Sequence, residues 1–218
     1  MECIEETGNT KEEAIAKALD KIGLNQDEVE VEILEERKKR FVFFGNNLAR
    51  VKIHYDEKLY FLKEAKNALK TILDKMGLES RVIGYEKNNV IYLNIGSPQS
   101  ALIIGRRGQT IDAVQYLINH IVNKSAKKKL KVVLDTENYR NKRQIKIEKL
   151  AYKLASQVKA TGNSLAVPPM NSHDRRIVHL ALQNDHEIKT ISKGEGQFRK
   201  VKIILRNNHD KYLDEPSD

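Results

Sequence analysis

The sequence predicts an α+β protein of three small α/β-type domains, and three observations carry that expectation. Segments with apolar residues at helical spacing alternate with short runs of period two. The 218 residues suffice for two or three small cores. Charge is partitioned: residues 1–56 hold 9 basic and 13 acidic groups, 57–135 hold 14 and 7, and 136–218 hold 16 and 10. The net charge of +9 therefore belongs to the second and third portions, which suits a polyanionic partner there and a different task for the first. The expected domains are 1–56, 57–135 and 136–206, followed by a polar tail at 207–218.

In the first portion, Thr10-Lys11-Glu12-Glu13 has the form of a capping box, with Thr10 accepting from the Glu13 amide while Glu13 reaches back. A helix carrying Ala14, Ile15, Ala18, Leu19 and Ile22 starts there and stops at Gly23. Strands are expected near 28–34 and 48–55. Between them, Arg37-Lys38-Lys39-Arg40 precedes Phe41, Phe43, Phe44 and Gly45. The phenylalanines either complete a small core or form a contact loop for protein or nucleic acid.

The second portion opens with a helix over about 57–76, with Leu62, Ala65, Leu69, Ile72, Leu73 and Met76 along one face. Two strands near 81–85 and 90–95 flank the hairpin turn Glu86-Lys87-Asn88-Asn89. A short helix ends at Ile104, a loop Gly105-Arg106-Arg107-Gly108 follows, and a second helix runs from Gln109 to about Asn123. A last strand lies near 130–134. The loop is not a nucleoside-triphosphate loop, because Gln109 and Thr110 follow Gly108 with no lysine between. Nor is it a dinucleotide fingerprint, because Ile103 stands where a further glycine is needed. Two glycines around two arginines suit close approach to a phosphodiester backbone; a plain helix-to-helix turn with solvated arginines is the alternative.

The third portion begins with a basic helix over about 136–160, whose Ile147, Leu150, Ala151, Leu154, Ala155 and Val158 face inward. Arg140, Lys142, Arg143, Lys146, Lys149 and Lys153 occupy the rest, and solvated lysines there require no partner. Gly162 ends the helix and Pro168-Pro169 prevents its early resumption. A second helix, capped by Asn171 or Ser172, carries Arg175 and His179 four residues apart, close enough to share an anion, with Arg176 beside them. Strands near 187–192 and 198–205 close the unit around Lys193-Gly194-Glu195-Gly196-Gln197.

The order α-β-β-α-α-β with Gly105-Arg106-Arg107-Gly108 between consecutive helices resembles the type II KH fold, whose loop clamps the backbone of about four nucleotides. Arg175-x-x-x-His179 resembles the R-three-H module of single-stranded nucleic-acid-binding proteins. Both modules behind a small N-terminal unit resemble the Jag family of bacterial RNA-binding proteins, also called EloR or KhpB. Leu102-Ile103-Ile104-Gly105-Arg106-Arg107-Gly108, Pro169-Met170-Asn171, Arg175-Arg176-Ile177-Val178-His179 and Gly194-Glu195-Gly196 are among the strings that carry the resemblance. Two positions depart from it: His173 stands where members often have tyrosine, and the linker at Asp56-Glu57 is very short.

The resemblance implies a non-enzymatic, chaperone-like protein for single-stranded RNA, with single-stranded DNA as the related ligand. It further implies post-transcriptional control of cell elongation and cell-wall homeostasis, and a homodimer or a small single-KH partner protein. Gly105, Arg106, Arg107 and Gly108 would hold the strand, Ile103 and Ile104 would line the groove for bases, and Arg175, Arg176 and His179 would form a second contact. Where they do not complete a core, Phe41, Phe43 and Phe44 are the candidate protein contacts. The alternative is an interaction scaffold or DNA-binding protein with RNA binding secondary.

A metal-dependent nuclease using His173, Asp174 and His179 is disfavoured, since residues six apart on a helix point to different sides. No cofactor or metal is expected. The single cysteine, Cys3, excludes an intrachain disulfide framework. With no long apolar run and no signal-peptide pattern, a cytoplasmic location is the expectation.

Overall fold

The computed structural model describes residues 1–35 and 48–206, which fall into two compact units, Met1–Glu137 and Asn138–Asp218. Among the described residues no helix is long and apolar enough to cross a membrane.

The first unit begins with β1 (Glu2–Gly8), α1 (Lys11–Ile22), β2 (Val29–Glu35) and β3 (Ala49–Tyr55). The strands form an antiparallel sheet in the order β1-β3-β2. Local pattern does not predict β1, whose one large aliphatic residue is Ile4. Its pairing with the whole of β3, from Glu2 opposite Tyr55 to Gly8 opposite Ala49, defines it instead. At the start of α1, Thr10 Oγ1 accepts from the Glu13 amide at 3.2 Å, and Glu13 reaches back to the amide of Asn9 at 2.9 Å. Gly23 closes the helix in the left-handed region. Ala14, Ala18, Ile22, Leu24, Val51 and Ile53 make the core.

There is no linker after β3. Asp56 caps α2 (Glu57–Lys75), accepting from the Lys58 amide at 2.9 Å. Leu59 and Tyr60 of α2 pack against the core of the first sheet, and Lys63 pairs with Glu28. The buried residues of α2 are Phe61, Ala65, Leu69 and Leu73, whereas Met76 is 44% exposed. The buried arc is the expected one extended to Phe61, and Met76 leaves it because it is the C-cap, one residue past the end of the helix.

β4 (Arg81–Lys87) and β5 (Val90–Gly96) form a two-residue hairpin, with Asn88 and Asn89 at φ 53° and 60°. That pair of left-handed residues matches the twist of the strands. Then come α3 (Ser100–Ile104), α4 (Gln109–Asn123) and β6 (Lys131–Asp135), the last parallel to β5, in the sheet order β4-β5-β6.

The outer edge of β6 is satisfied by side chains. Asn119 Oδ1 accepts from the Val132 amide at 2.8 Å while its Nδ2 donates to the Val132 carbonyl at 3.0 Å. Asn123 does the same for Leu130, at 2.8 Å both ways, and Gln115 Oε1 accepts from the Leu134 amide at 2.9 Å. Four residues of helix rise about as far as two residues of strand, so amides at every fourth position of α4 keep step with alternate residues of β6. This ladder takes the place of a neighbouring strand and holds α4 at a fixed height on the sheet.

The second unit comprises α5 (Tyr139–Thr161), β7 (Leu165–Ala166), α6 (Ser172–Leu182), β8 (Ile188–Lys193) and β9 (Lys200–Leu205). Its sheet is antiparallel in the order β7-β9-β8. Helix α5 starts at Tyr139, later than the sequence suggests, because Glu137 and Asn138 are left-handed at φ 52° and 57°. Phe198, expected in a strand, lies in a short 3-10 turn and is 71% exposed. The core joins Ile147, Ala151, Ala155 and Val158 of α5 to Ile177, Val178 and Leu182 of α6 and to Ile188, Val201 and Ile203 of the sheet.

Candidate nucleic-acid interface

Between α3 and α4 the chain turns within four residues. Gly105 has φ 68° and ψ −176°, Arg107 has φ 57° and ψ 25°, and Gly108 has φ 83° and ψ 9°. Both glycines are needed for conformation, and Arg107 enters the left-handed region between them. Gly105 is also required by space. A Cβ there would overlap Thr110 Oγ1 and stand 2.7 Å from Thr110 Cβ. The close approach that glycine permits at this position is therefore to the first turn of α4.

The turn throws Arg106 and Arg107 outward, and both are exposed. The backbone amides of the turn are engaged within the protein. The Gly105 amide donates to Ala101 O at 3.0 Å, the Gly108 amide to Gly105 O at 3.3 Å, and that of Gln109 to Arg106 O. Gly108 is itself buried. Gly105 and Gly108 accordingly shape the turn, and the arginine side chains are its outward cations.

Ile103, expected in a base-lining groove, is fully buried, as is Ile111. This corrects that reading: both point into the core between helices and sheet, where no base can touch them. Ile104 is half-buried. Beyond the loop, Leu102, Tyr116, Leu117 and Ile121 are exposed, Tyr116 at 72%.

In the second unit, Asn171 caps α6, its side chain accepting from the Asp174 amide at 2.8 Å. Arg175 is half-buried, and its Nη1 donates to Met170 O at 2.9 Å. His179 lies under the sheet, with Nδ1 2.7 Å from Thr190 Oγ1 and Nε2 2.9 Å from Ser192 Oγ. Both ring nitrogens are thus engaged by hydroxyls of β8. The expected sharing of a phosphate through the imidazole is corrected to a strut between α6 and the sheet, leaving exposed Arg176 and half-buried Arg175 as the cations of that helix.

Burial, and then the nearby Arg175 charge, lowers the pKa of His179 from its ordinary 6.5. A histidine that prefers to be neutral when folded leaves stability intact above the unfolded value and removes it as pH falls through that value towards the folded one. The second unit is expected to lose stability on acidification below about pH 6.5. Histidine NMR titration checks this: a His179 midpoint at or above 6.5 would contradict it.

Asp174, the buried polar residue of α6, takes Arg143 Nη2 at 2.9 Å and Arg143 Nε at 3.2 Å on one carboxylate oxygen. His173 is exposed with Nδ1 3.9 Å from the other Asp174 oxygen, while the His179 ring is engaged by β8. Among the described residues no cluster of His, Cys, Asp and Glu could hold a metal ion. Phe41, Phe43 and Phe44 lie outside the described residues.

Comparison with known proteins follows the same three-part division. Family models described as the Jag N-terminus, the KhpA/KhpB KH domain and the R-three-H domain match residues 7–55, 63–134 and 145–205. The chain is 36% identical over 214 residues to RNA-binding protein KhpB of Clostridium symbiosum, covering 96% of this chain and 94% of the relative. It is 36% identical over 206 residues to RNA-binding protein KhpB of Bacillus subtilis (strain 168), covering 93% and 98%. To RNA-binding protein KhpB of Lactiplantibacillus plantarum it is 34% identical over 119 residues, 55% of this chain and 37% of that one.

Proposed function

The chain belongs to the KhpB family of RNA-binding proteins, and from that premise we propose that it binds single-stranded RNA through the loop of its KH domain and a second contact on its R-three-H domain. The observation that carries the reading is the loop. Four residues, three of them at positive φ, project two adjacent arginines, while the amides of Gly105, Gly108 and Gln109 are already bonded inside the protein. Such a loop offers cationic side chains to phosphates and reads no base itself, so it positions a strand. Arg175 and Arg176 supply the second contact. The division into 57–135 and 136–206 assigns one contact to each domain.

The proposal extends to an RNA-chaperone role in post-transcriptional control, connected with cell elongation and cell-wall homeostasis. That part rests on family membership. A small single-KH protein or a second copy of the chain is the proposed protein partner, and the exposed apolar residues Leu102, Tyr116, Leu117 and Ile121 favour it.

Titration of labelled single-stranded RNA at several salt concentrations tests the central reading. Affinity is expected to fall linearly on a log–log plot, with a slope of about 0.7 per neutralised phosphate. Absence of binding at low salt would refute it.

A further inference from the structure

Helix α5 carries seven basic residues and a single acid, Glu148, and beyond Arg140 in its first turn the structure sorts the other six cations into two classes. Arg143 is paired with Asp174, and Lys159 with Asp185 and Glu187, at 2.8 and 2.9 Å. Lys142, Lys146, Lys149 and Lys153 are all exposed, and among the described residues none of them forms a salt bridge. Their spacings of four, three and four place them, at the helix's angular step, within an arc of about 60°. They form a straight stripe about 16 Å long. The buried residues Ile147, Ala151, Ala155 and Val158 lie on the opposite side.

Glu148 is off the stripe and accepts from Gln144 Nε2 at 2.8 Å. Tyr152, 53% exposed, stands beside Lys149 and Lys153 on one flank, with Ile145, 42% exposed, about two helical turns ahead on the same side. A line of uncompensated like charges lowers helix stability, since each like-charged pair at this spacing is mildly repulsive. A polyanion laid along the stripe relieves that repulsion.

We propose that this face of α5 is a further RNA-binding site, in which Lys142, Lys146, Lys149 and Lys153 follow the phosphates of a single strand and Tyr152 stacks one of its bases. It is distinct from the arginines of α6 and from the KH loop. The argument for RNA as occupant rests on the family-based reading above, together with the charge complementarity of the stripe. The argument for a single strand is Tyr152, whose exposed ring has a use where bases are unstacked and none where they remain inside a duplex.

The test uses the full chain and the fluorescence anisotropy of a labelled single-stranded RNA of about 16 nucleotides. It compares the unaltered protein, Lys146→Glu with Lys149→Glu, Tyr152→Ala, and the KH-loop variant Arg106→Asp with Arg107→Asp. All these side chains are exposed, and circular dichroism melts confirm that the folds are kept. The lysine variant is expected to bind at least about tenfold more weakly, with a salt slope reduced by about 1.4. Tyr152→Ala is expected to weaken single-strand binding by about tenfold and leave duplex RNA unaffected.

Unchanged affinity and slope in the lysine variant, while the unaltered chain binds and the loop variant does not, overturns this site and leaves the proposed function standing. Equal losses on duplex and single strand, with Tyr152→Ala silent, overturn the single-strand assignment. Polyglutamate competing at the stripe as well as RNA does makes it an acidic-protein surface and overturns it too. No RNA binding by the unaltered chain overturns both readings together.

Discussion

Replacing Arg106 and Arg107 together by aspartate is expected to lower affinity for single-stranded RNA by at least about a hundredfold. On the proposed reading each arginine makes charge-assisted hydrogen bonds to phosphate, worth about 1.5–3 kcal/mol apiece, so two lost contacts correspond to roughly 3–6 kcal/mol. Charge reversal adds repulsion to that loss. The salt slope should shrink by about 1.4 as two phosphates go unneutralised. The fold should survive, because both side chains are exposed and aspartate is among the residues that tolerate the left-handed backbone Arg107 adopts at φ 57°. Anisotropy titrations paired with thermal melts give the result. Retained affinity in a variant that melts normally would remove the loop from the binding surface.

The other large effect is on stability. Gly105→Ala is expected to destabilise the first unit by about 2–6 kcal/mol, the sum of a backbone and a packing cost. A φ of 68° with extended ψ is a glycine region that costs another residue about 1–3 kcal/mol. The added methyl must in addition displace Thr110, an overpacking cost of about 1–3 kcal/mol. Gly108, at φ 83° and ψ 9°, sits in the ordinary left-handed well, so Gly108→Ala should cost only about 1 kcal/mol. Calorimetry should show the Gly105 variant melting about 10 °C lower or more, well below the Gly108 variant. Equal losses would mean that the contact with Thr110 does not restrict the loop. Restoring space with Thr110→Gly should recover part of the loss, since only the backbone strain would remain.

Much of this molecule is written locally. The Thr10 cap of α1, with Glu13 reaching one residue beyond the expected box to Asn9, the asparagine cap at Asn171 and the Asn88-Asn89 turn each depend on residues within four positions of one another. The helix-loop-helix around Gly105 and Gly108 is legible for the same reason. Two arginines between two glycines after an apolar run also mark the loop as an outward-facing cation site, and the geometry keeps them outward.

What local pattern misreads are residues whose role is set by a distant partner. Ile103 is expected in the groove for bases, and tertiary packing buries it instead. His179 lies four residues from Arg175 on one helix, which suggests a shared anion, but hydroxyls of β8 more than ten residues away take both its nitrogens. Nothing local marks Asn119 and Asn123, yet they complete the edge of β6. The lysines of α5 look like an ordinary wet face until tertiary pairing removes Arg143 and Lys159 from the set.

The sequence by itself determined the α+β class, the order of elements around the glycine-arginine loop, the caps of α1 and the N-cap of α6, and the family, because these reside in short-range spacing and in composition. Tertiary structure decided that Gly105 is forced by its own neighbour Thr110, which isoleucines are core, which cations of α5 are taken up by carboxylates and that His179 serves the fold. The physical reason is common to all of these. A side chain's spacing fixes the direction in which it leaves the backbone, while its chemistry depends on what the rest of the chain places there.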